Sequence, residues 1–312
     1  MKTPRLIALD LDGTLLHSGG YVSARNRAAL ALAHAAGIEV VVATGRRHSF
    51  ALQVLRELSL PPTHALISSN GTVIRTIGSD LLHRSHLPLE TARWLVAHAN
   101  EFRSTLVITF DTVGPDGRDV RGALVCESLD ELNASIGRWM TSNRDYLAQV
   151  SPIEDALSAA ASPIHAASPI QMMLCGTIAR MECAEVLLSA HPRVAAVGAP
   201  ELPETEITLH RTAYPERDLT ILDILPAGCS KASALTHLAD LRGIDLSEVL
   251  AIGDNWNDVP MLEAAGSAVL MANAPAELLA LARDRNWLIA PAHDDDGVAI
   301  AIEEALAVGA HP

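Results

Sequence analysis

The sequence predicts an α/β fold, a parallel sheet with helices on both faces into which a second, separate α/β unit is inserted. Three observations carry the prediction. In residues 1–84 and again in 226–312, short apolar runs alternate with helical stretches over short connections, the pattern of units that build parallel sheets. Between about 85 and 225 the texture changes, with strand candidates joined by polar turns and an Ala/Ser/Pro-rich stretch at 151–169. Aromatic residues are only 3% of the chain while Ala, Leu and Val are abundant, which suits an α/β protein better than an all-β sandwich. With 312 residues, 49% of them hydrophobic, the chain can bury a sizeable core and form about two domains. The expected division is 1–84 with 226–312, and 85–225.

The elements follow in order. Leu6 to Leu9 is a short apolar strand ending in acid. A helix runs from about Ser23, a suitable N-cap, to Ala36, where Gly37 stops it. Ile38 to Ala43 is β-branched and nearly all apolar, as a buried parallel strand is. A helix spans about His48 to Leu58 and a strand His64 to Ser68, and Asn70-Gly71 then signals a hairpin into Thr72 to Ile77. The middle reads as a helix at Leu89 to Asn100, strands at Thr105 to Phe110 and Val120 to Glu127, and a helix near Leu129 to Thr141. It continues with a strand at Ile170 to Cys175, a helix at Ile178 to Ala190, and strands at Val194 to Val197, Glu206 to Arg211 and Leu219 to Leu225. The last part has a helix from Ser230 to Arg242 stopped by Gly243, and a strand from Val249 to Ile252. A helix containing Pro260 in its first turn ends at Gly266, and Ser267 to Met271 is a strand. Pro275 opens a further helix, Trp287 to Ile289 is a short strand, and a helix covers Val298 to Val308.

Charge and cysteine content narrow the function. The net charge is −14, from 23 Lys and Arg against 37 Asp and Glu, with no long basic run. That weighs against nucleic acid or an anionic membrane as partner. An acidic surface also repels anionic ligands at long range, so a site for one needs local positive charge from a metal or cationic side chains. Cys126, Cys175, Cys183 and Cys229 form no CxxC pair, and no His spacing completes a zinc pattern. Reduced thiols in a cytoplasmic protein are expected. The N-terminal apolar stretch is short and broken by Asp10 and Asp12, unlike a signal peptide, and no apolar run reaches the ~20 residues that span a bilayer.

Two strings place acids at strand ends, where ligands bind in open α/β sheets. Asp10-Leu11-Asp12-Gly13-Thr14 follows the first strand, and strand alternation puts Asp10 and Asp12 on one face. Two carboxylates there repel unless a cation lies between them. Asp-Gly is also a common turn pair, so this string alone leaves a surface turn open. Gly253 to Asp258 (GDNWND) adds Asp254 and Asp258 and the amide of Asn257 after a second buried strand. Four carboxylates near one point call for a hard cation, and an oxygen-rich setting suits Mg²⁺. Thr44-Gly45-Arg46 offers a hydroxyl and backbone N–H groups before a helix, either an anion seat or a helix cap. Lys231 opens a helix, where a lone lysine is usually solvated surface.

The order of these pieces resembles the haloacid dehalogenase (HAD) superfamily. The fuller strings DLDGTLL, GIEVVVATGR, ISSNGTVI, ILPAGCSKASAL and GDNWNDVPML are similar to its Cof-type branch. Ala232 and His17 depart from the residues most frequent there, Gly and Asn or Asp, without touching the chemistry. The resemblance covers 1–84 and 226–312 well and the middle in outline. It implies a Rossmann-like core with a mobile α/β cap and a Mg²⁺-dependent phosphatase of small phosphorylated metabolites. Asp10 would be the nucleophile and Asp12 the acid and base. The metal would lie on Asp10, the Asp12 carbonyl and Asp254, with Asp258 buttressing that shell or orienting Lys231. Thr44, Gly45, Lys231 and Asn257 would hold phosphoryl oxygens. A phosphomutase on the same core would instead reorient a bisphosphorylated intermediate, and a non-catalytic phosphometabolite-binding protein would have no need of the Asp10–Asp12 pair. An aspartyl-phosphate ATPase is disfavoured by the acid at position 12 and the lack of membrane spans. Sugar phosphates, pyridoxal phosphate and flavin mononucleotide are the substrate candidates, and the low aromatic content disfavours a flat stacking ligand. Oligomeric state is left open.

Overall fold

The computed structural model describes residues 3–158, 168–200 and 202–309. In chain order the first elements are β1 (Leu6–Leu9), α1 (Ala24–Ala35), β2 (Glu39–Ala43), α2 (His48–Leu55), β3 (Ala65–Ser68), β4 (Val73–Thr76) and β5 (Leu81–Arg84). Next come α3 (Leu89–His98), β6 (Leu106–Thr109), β7 (Leu124–Cys126), α4 (Asp130–Asn143), β8 (Leu147–Gln149), β9 (Gln171–Gly176) and α5 (Ile178–Ser189). After these lie β10 (Val194–Ala196), β11 (Ile207–Tyr214), β12 (Leu219–Pro226), α6 (Lys231–Arg242) and β13 (Val249–Gly253). The chain closes with α7 (Val259–Ala264), β14 (Ser267–Met271), α8 (Ala276–Asp284), β15 (Leu288–Ala290) and α9 (Gly297–Gly309). Two compact units result: one runs up to His83 and resumes at Ser230, and the other is Arg84–Cys229.

The first unit holds an eight-stranded sheet in the order β15-β14-β13-β1-β2-β3-β4-β5. From β15 to β3 the strands are parallel, with Leu6 of β1 flanked by Val249 and Glu39. Alternation along β1 and β2 divides their side chains between two cores. Ile7, Leu9, Val40 and Val42 pack with α1, α2 and α9 through Leu30, Leu55 and Ile302. Leu6, Ala8, Val41 and Ala43 pack with α6, α7 and α8 through Leu235, Leu262 and Leu278. A sheet buried on both faces needs strands with long apolar runs, and after the half-buried Glu39 the rest of β2, Val40 to Ala43, is such a run.

The second unit has a seven-stranded sheet in the order β10-β11-β12-β9-β6-β7-β8. It is antiparallel from β11 through β7, with β10 and β8 joining as parallel edges. Leu95 of α3 and Leu188 of α5 pack on Ile108, Leu174 and Leu222 on one face. Leu132, Ile136 and Met140 of α4 pack on Val107, Cys126 and Cys175 on the other.

The structure differs from the sequence reading in places that have physical causes. The first sheet is mixed, because the hairpin after β3 returns β4 antiparallel. The turn is a short 3-10 segment, Ser69–Gly71, in which Ser69, Asn70 and Gly71 all have positive φ, rather than a two-residue Asn-Gly turn. β5 and β8 were not predicted, and both are three or four residues long, edge-lying and only partly buried, so neither leaves a period to read. α2 stops at Leu55, three residues before the predicted Leu58. β7 begins at Leu124 rather than Val120, since Arg121 is exposed and Gly122 has φ +96°. β11 runs on to Tyr214, paired through to Leu219 of β12. Of the Ala/Ser/Pro-rich stretch, Ile153–Leu157 forms a 3-10 turn, while residues 159–167 lie outside the described residues. Among the described residues no helix is long and apolar enough to cross a membrane.

Candidate active site

β1 lies between β13 and β2, so the carboxyl ends of these strands deliver Asp10, the segment from Asp254 and the loop from Thr44 to neighbouring positions. Asp10 continues the ladder by one bond, its N–H donating to the Ile252 carbonyl at 3.0 Å, and its side chain is buried. The chain then leaves the sheet. Gly13 has φ +79°, and the Leu16 N–H closes a turn on the Leu11 carbonyl at 2.9 Å. A Cβ at Gly13 would fall 2.4 Å from Asp254 Oδ2, so glycine is needed both for the backbone and for the acid that packs on it. Thr14 Oγ1 donates to Asp254 Oδ1 at 2.9 Å.

This turn corrects the alternation argument for Asp12. Strand pleating no longer applies beyond Leu9, and Asp12 does not join the buried acids. Its side chain is 55% exposed, and both its oxygens accept from Arg46, from Nε at 2.7 Å and Nη2 at 2.5 Å. The buried cluster is Asp10, Asp254 and Asp258, with ligand oxygens all within 4.8 Å of one another.

Lys231 is wholly buried, contrary to the ordinary fate of a lone lysine. Ser230 caps α6 in a reciprocal box with Ser233, which fixes Lys231 as the first helical residue. Nζ then donates to Asp10 Oδ1 at 2.5 Å and to Asp258 Oδ1 at 2.6 Å. The hairpin tip presses on this start: a Cβ at Gly71 (φ +102°) would lie 2.1 Å from the Ser230 carbonyl oxygen. Asp258 Oδ2 accepts from the backbone N–H groups of Asp254 and Asn255, each at 3.0 Å. Both oxygens of Asp258 are thus engaged in holding Lys231 and the Asp254 loop.

Thr44 and Gly45 are not in the first turn of α2, which starts at His48. They belong to the preceding loop, where Thr44 Oγ1 accepts from the Arg46 N–H at 3.1 Å. An anion seat here would come from loop N–H groups rather than from the helix end. The Asn70 side chain packs against Gly45 and accepts from Asn257 Nδ2 at 3.4 Å, linking two residues that the sequence placed far apart.

Arg46, Asn70 and Asn273 carry contacts that sequence reasoning assigned to none of them. Asn273 Nδ2 donates to the Gly13 carbonyl at 2.9 Å and lies 3.5 Å from Asp254 Oδ2, while its Oδ1 accepts from the His293 N–H. The Ala-Asn-Ala-Pro context of Asn273 reads as an ordinary turn. His17 stacks on Tyr21 and sits 3.4 Å from Asp294, which gives the unusual residue at that position a local structural place.

Three acids share one buried cation here. Burial pushes the Asp10 carboxyl up to about 7, against the pull of Lys231 and with the push of Asp258 and Asp12. Burial, with Asp10 and Asp258 as neighbours, pushes Asp254 to about 8. Burial alone would lower Lys231, yet Asp10 and Asp258 hold it above a free lysine. Lys231 takes one oxygen of Asp10 and Thr14 one oxygen of Asp254, so among the described residues Asp10 Oδ2 and, apart from the 3.5 Å contact from Asn273, Asp254 Oδ2 remain for a ligand. An all-oxygen donor set with excess negative charge fits a hard divalent cation. Folding raises these two carboxyls above their ordinary 3.8, so the folded chain holds extra protons between that value and about 7 to 8. Their stabilising contribution is full below about pH 4 and is lost as pH rises through about 7 to 8. The metal-free protein should therefore melt at lower temperature at about pH 8 than at about pH 5, and the slope should flatten with Mg²⁺ or in Asp254→Asn. Melting curves across that range in chelator, equal in slope for both chains, would contradict this account.

A family model described as haloacid dehalogenase-like hydrolase matches residues 7–114 and 204–302. The chain belongs to the haloacid dehalogenase-like hydrolases. The Cof-type strings of the sequence are thereby placed in their family, and the α/β core with a further α/β unit agrees with its solved members. Among curated proteins, this HAD hydrolase is 29% identical over 311 residues to 5-amino-6-(5-phospho-D-ribitylamino)uracil phosphatase YwtE of Bacillus subtilis (strain 168), covering 97% of this chain and 98% of that one. It is 28% identical over 282 residues to HMP-PP phosphatase of Escherichia coli O157:H7, covering 88% and 87%. A haloacid dehalogenase-like hydrolase structure from B. subtilis aligns with TM-score 0.74 at 25% identity, over 96% of this chain and 99% of that one. Another from Bacteroides thetaiotaomicron aligns with TM-score 0.72 at 25% identity, over 96% and 99%.

Proposed function

We propose that this chain, a HAD-type phosphatase, hydrolyses small phosphorylated metabolites through an aspartyl-phosphate on Asp10 and requires Mg²⁺. The observation that carries the reading is the Asp10 carboxylate, buried at a strand end with Lys231 Nζ at 2.5 Å and Asp254 beside it. Mg²⁺ would be held by Asp10 and Asp254 with the Asp12 carbonyl, and would neutralise charge on the phosphoryl group. Asp10 attacks phosphorus as the bond to the leaving oxygen breaks, and that oxygen takes a proton from Asp12. A water oxygen then attacks the phosphoryl group and gives its proton to Asp12, releasing phosphate and the free Asp10 carboxylate. Lys231 offsets the charge of Asp10 and, with Thr44, Gly45 and Asn257, holds the phosphoryl oxygens. Asp258 orients Lys231 and the loop bearing Asp254. The inserted unit, expected from the sequence at 85–225, we take to be the cap whose contacts choose the leaving group, and we place the protein in the cytoplasm.

Phosphate release from a panel of sugar phosphates, pyridoxal phosphate and flavin mononucleotide tests the reading. It is expected with at least one of them, and a labelled phosphate should be trapped on Asp10 after a rapid acid quench. Turnover should depend on Mg²⁺ and be inhibited by Ca²⁺, whose larger shell accepts more ligands and can draw both Asp10 oxygens onto the metal. Full activity in excess chelator would sink the metal assignment.

A further inference from the structure

We propose that Arg46 is the positioning residue for Asp12, holding its carboxylate in the orientation from which it serves the leaving oxygen and the attacking water. The inference rests on the reading of Asp12 as acid and base given above. Asp10 and Asp254 are fixed by burial and Asp258 by backbone N–H groups. Asp12 has neither support, since its side chain is 55% exposed and lies past the end of β1, just before the left-handed Gly13. Among the described residues the guanidinium of Arg46 meets its carboxylate with two parallel bonds of 2.7 and 2.5 Å.

Arg46 is in turn held at three points. Its guanidinium lies 4.9 Å from the centroid of the Phe50 ring, its N–H donates to Thr44 Oγ1, and its carbonyl accepts from the Ser69 N–H at 2.9 Å. The fork is therefore carried by the β2–α2 loop, braced by α2 and by the hairpin turn. A half-exposed ion pair of this kind contributes little to stability. What a planar bidentate fork supplies is direction, and a lysine in its place would not. A general acid and base must lie within hydrogen-bond reach of the proton it moves, and small misplacement is costly in rate.

The consequence is a defect in proton transfer with phosphate and metal binding retained. Arg46→Ala in the full chain should lower kcat for an alkyl phosphate such as glycerol phosphate on the order of 10²-fold. The loss in kcat/KM, which reports transfer of the phosphoryl group to Asp10, should be much smaller for p-nitrophenyl phosphate, whose leaving group departs without a proton. Inhibition by inorganic phosphate, the thermal shift caused by Mg²⁺ and the KM of the alkyl phosphate should change little. Arg46→Lys should remain impaired, and millimolar guanidinium should restore part of the activity of Arg46→Ala. Asp12→Asn combined with Arg46→Ala should be no slower than Asp12→Asn alone, because the two residues act as a unit. A proportional rise in KM and in the phosphate inhibition constant at unchanged kcat would overturn the proposal and assign Arg46 to the substrate's phosphate. Equal loss in kcat/KM for both leaving groups, or full additivity with Asp12→Asn, would overturn it as well. If Asp12→Asn itself turns over alkyl phosphates normally, the fault lies in the reading of Asp12, and the Arg46 inference falls with it.

Discussion

Asp10→Asn should abolish turnover and leave the protein folded. The amide is close in shape to the carboxylate, and its oxygen can keep the bond from Lys231 Nζ that now measures 2.5 Å. What disappears is the nucleophile, and loss of the attacking group in an enzyme with a covalent intermediate costs on the order of 10⁶-fold in kcat. The substitution also removes a buried charge that raises the pKa of Asp254, so the metal-free chain should not be destabilised near neutral pH. Phosphate release and circular dichroism on the same preparation separate the two effects. Phosphate release by Asp10→Asn at near the wild-type rate would exclude the covalent role.

The largest effect on stability should come from Lys231→Met. Methionine keeps much of the apolar stem but removes the cation that touches Asp10 and Asp258. Asp10 and Asp258 then lack their shared partner, and breaking a buried ion pair from one side costs about 3–5 kcal/mol. The loss should be greater at about pH 8 than at about pH 5, where Asp10 and Asp254, with pKa values near 7 and 8, can take up protons. Denaturant titrations at both pH values measure the difference. A chain as stable as wild type at pH 8 would mean that the lysine is not needed to hold the acids. Activity should fall too, but unlike Asp10→Asn this variant should lose fold and turnover together.

Much of the site could be read in the sequence because strand and chemistry share one short string. Leu6 to Leu9 and Val249 to Ile252 announce buried strands, and Asp10 and Asp254 stand directly at their ends. Lys231 could not be read from its surroundings, since its partner Asp10 is 221 residues away. Only the family pattern singled it out. Pleating would place Asp12 beside Asp10, but the strand stops at Leu9 and the side chain is met by Arg46 instead. Asn70 looked like a turn residue and is one, but its side chain also joins Gly45 to Asn257. Contacts of that kind depend on the tertiary approach of loops, and no local period encodes them. The edge strands β5 and β8 escaped for a different reason: partly buried three- and four-residue strands carry too few apolar positions to show alternation.

The position of β1 has a consequence for the order in which the chain is made. β1 is central in its sheet, yet its neighbour on one side is β13, which begins at Val249. While the polypeptide emerges from a ribosome, β2 can pair with β1 early, but the other edge of β1 stays open until the segment Val249–Gly253 has been synthesised. Arg84–Cys229 is continuous in sequence and can close its own core in that interval. For most of translation, then, an apolar strand with the sequence Leu-Ile-Ala-Leu presents unpaired backbone groups, a template for association with other nascent chains. The site follows the same timetable. Lys231, Asp254 and Asp258 arrive only with the last third of the protein, so a truncated product can carry Asp10 and a folded inserted unit and still lack the acids and the lysine that surround it.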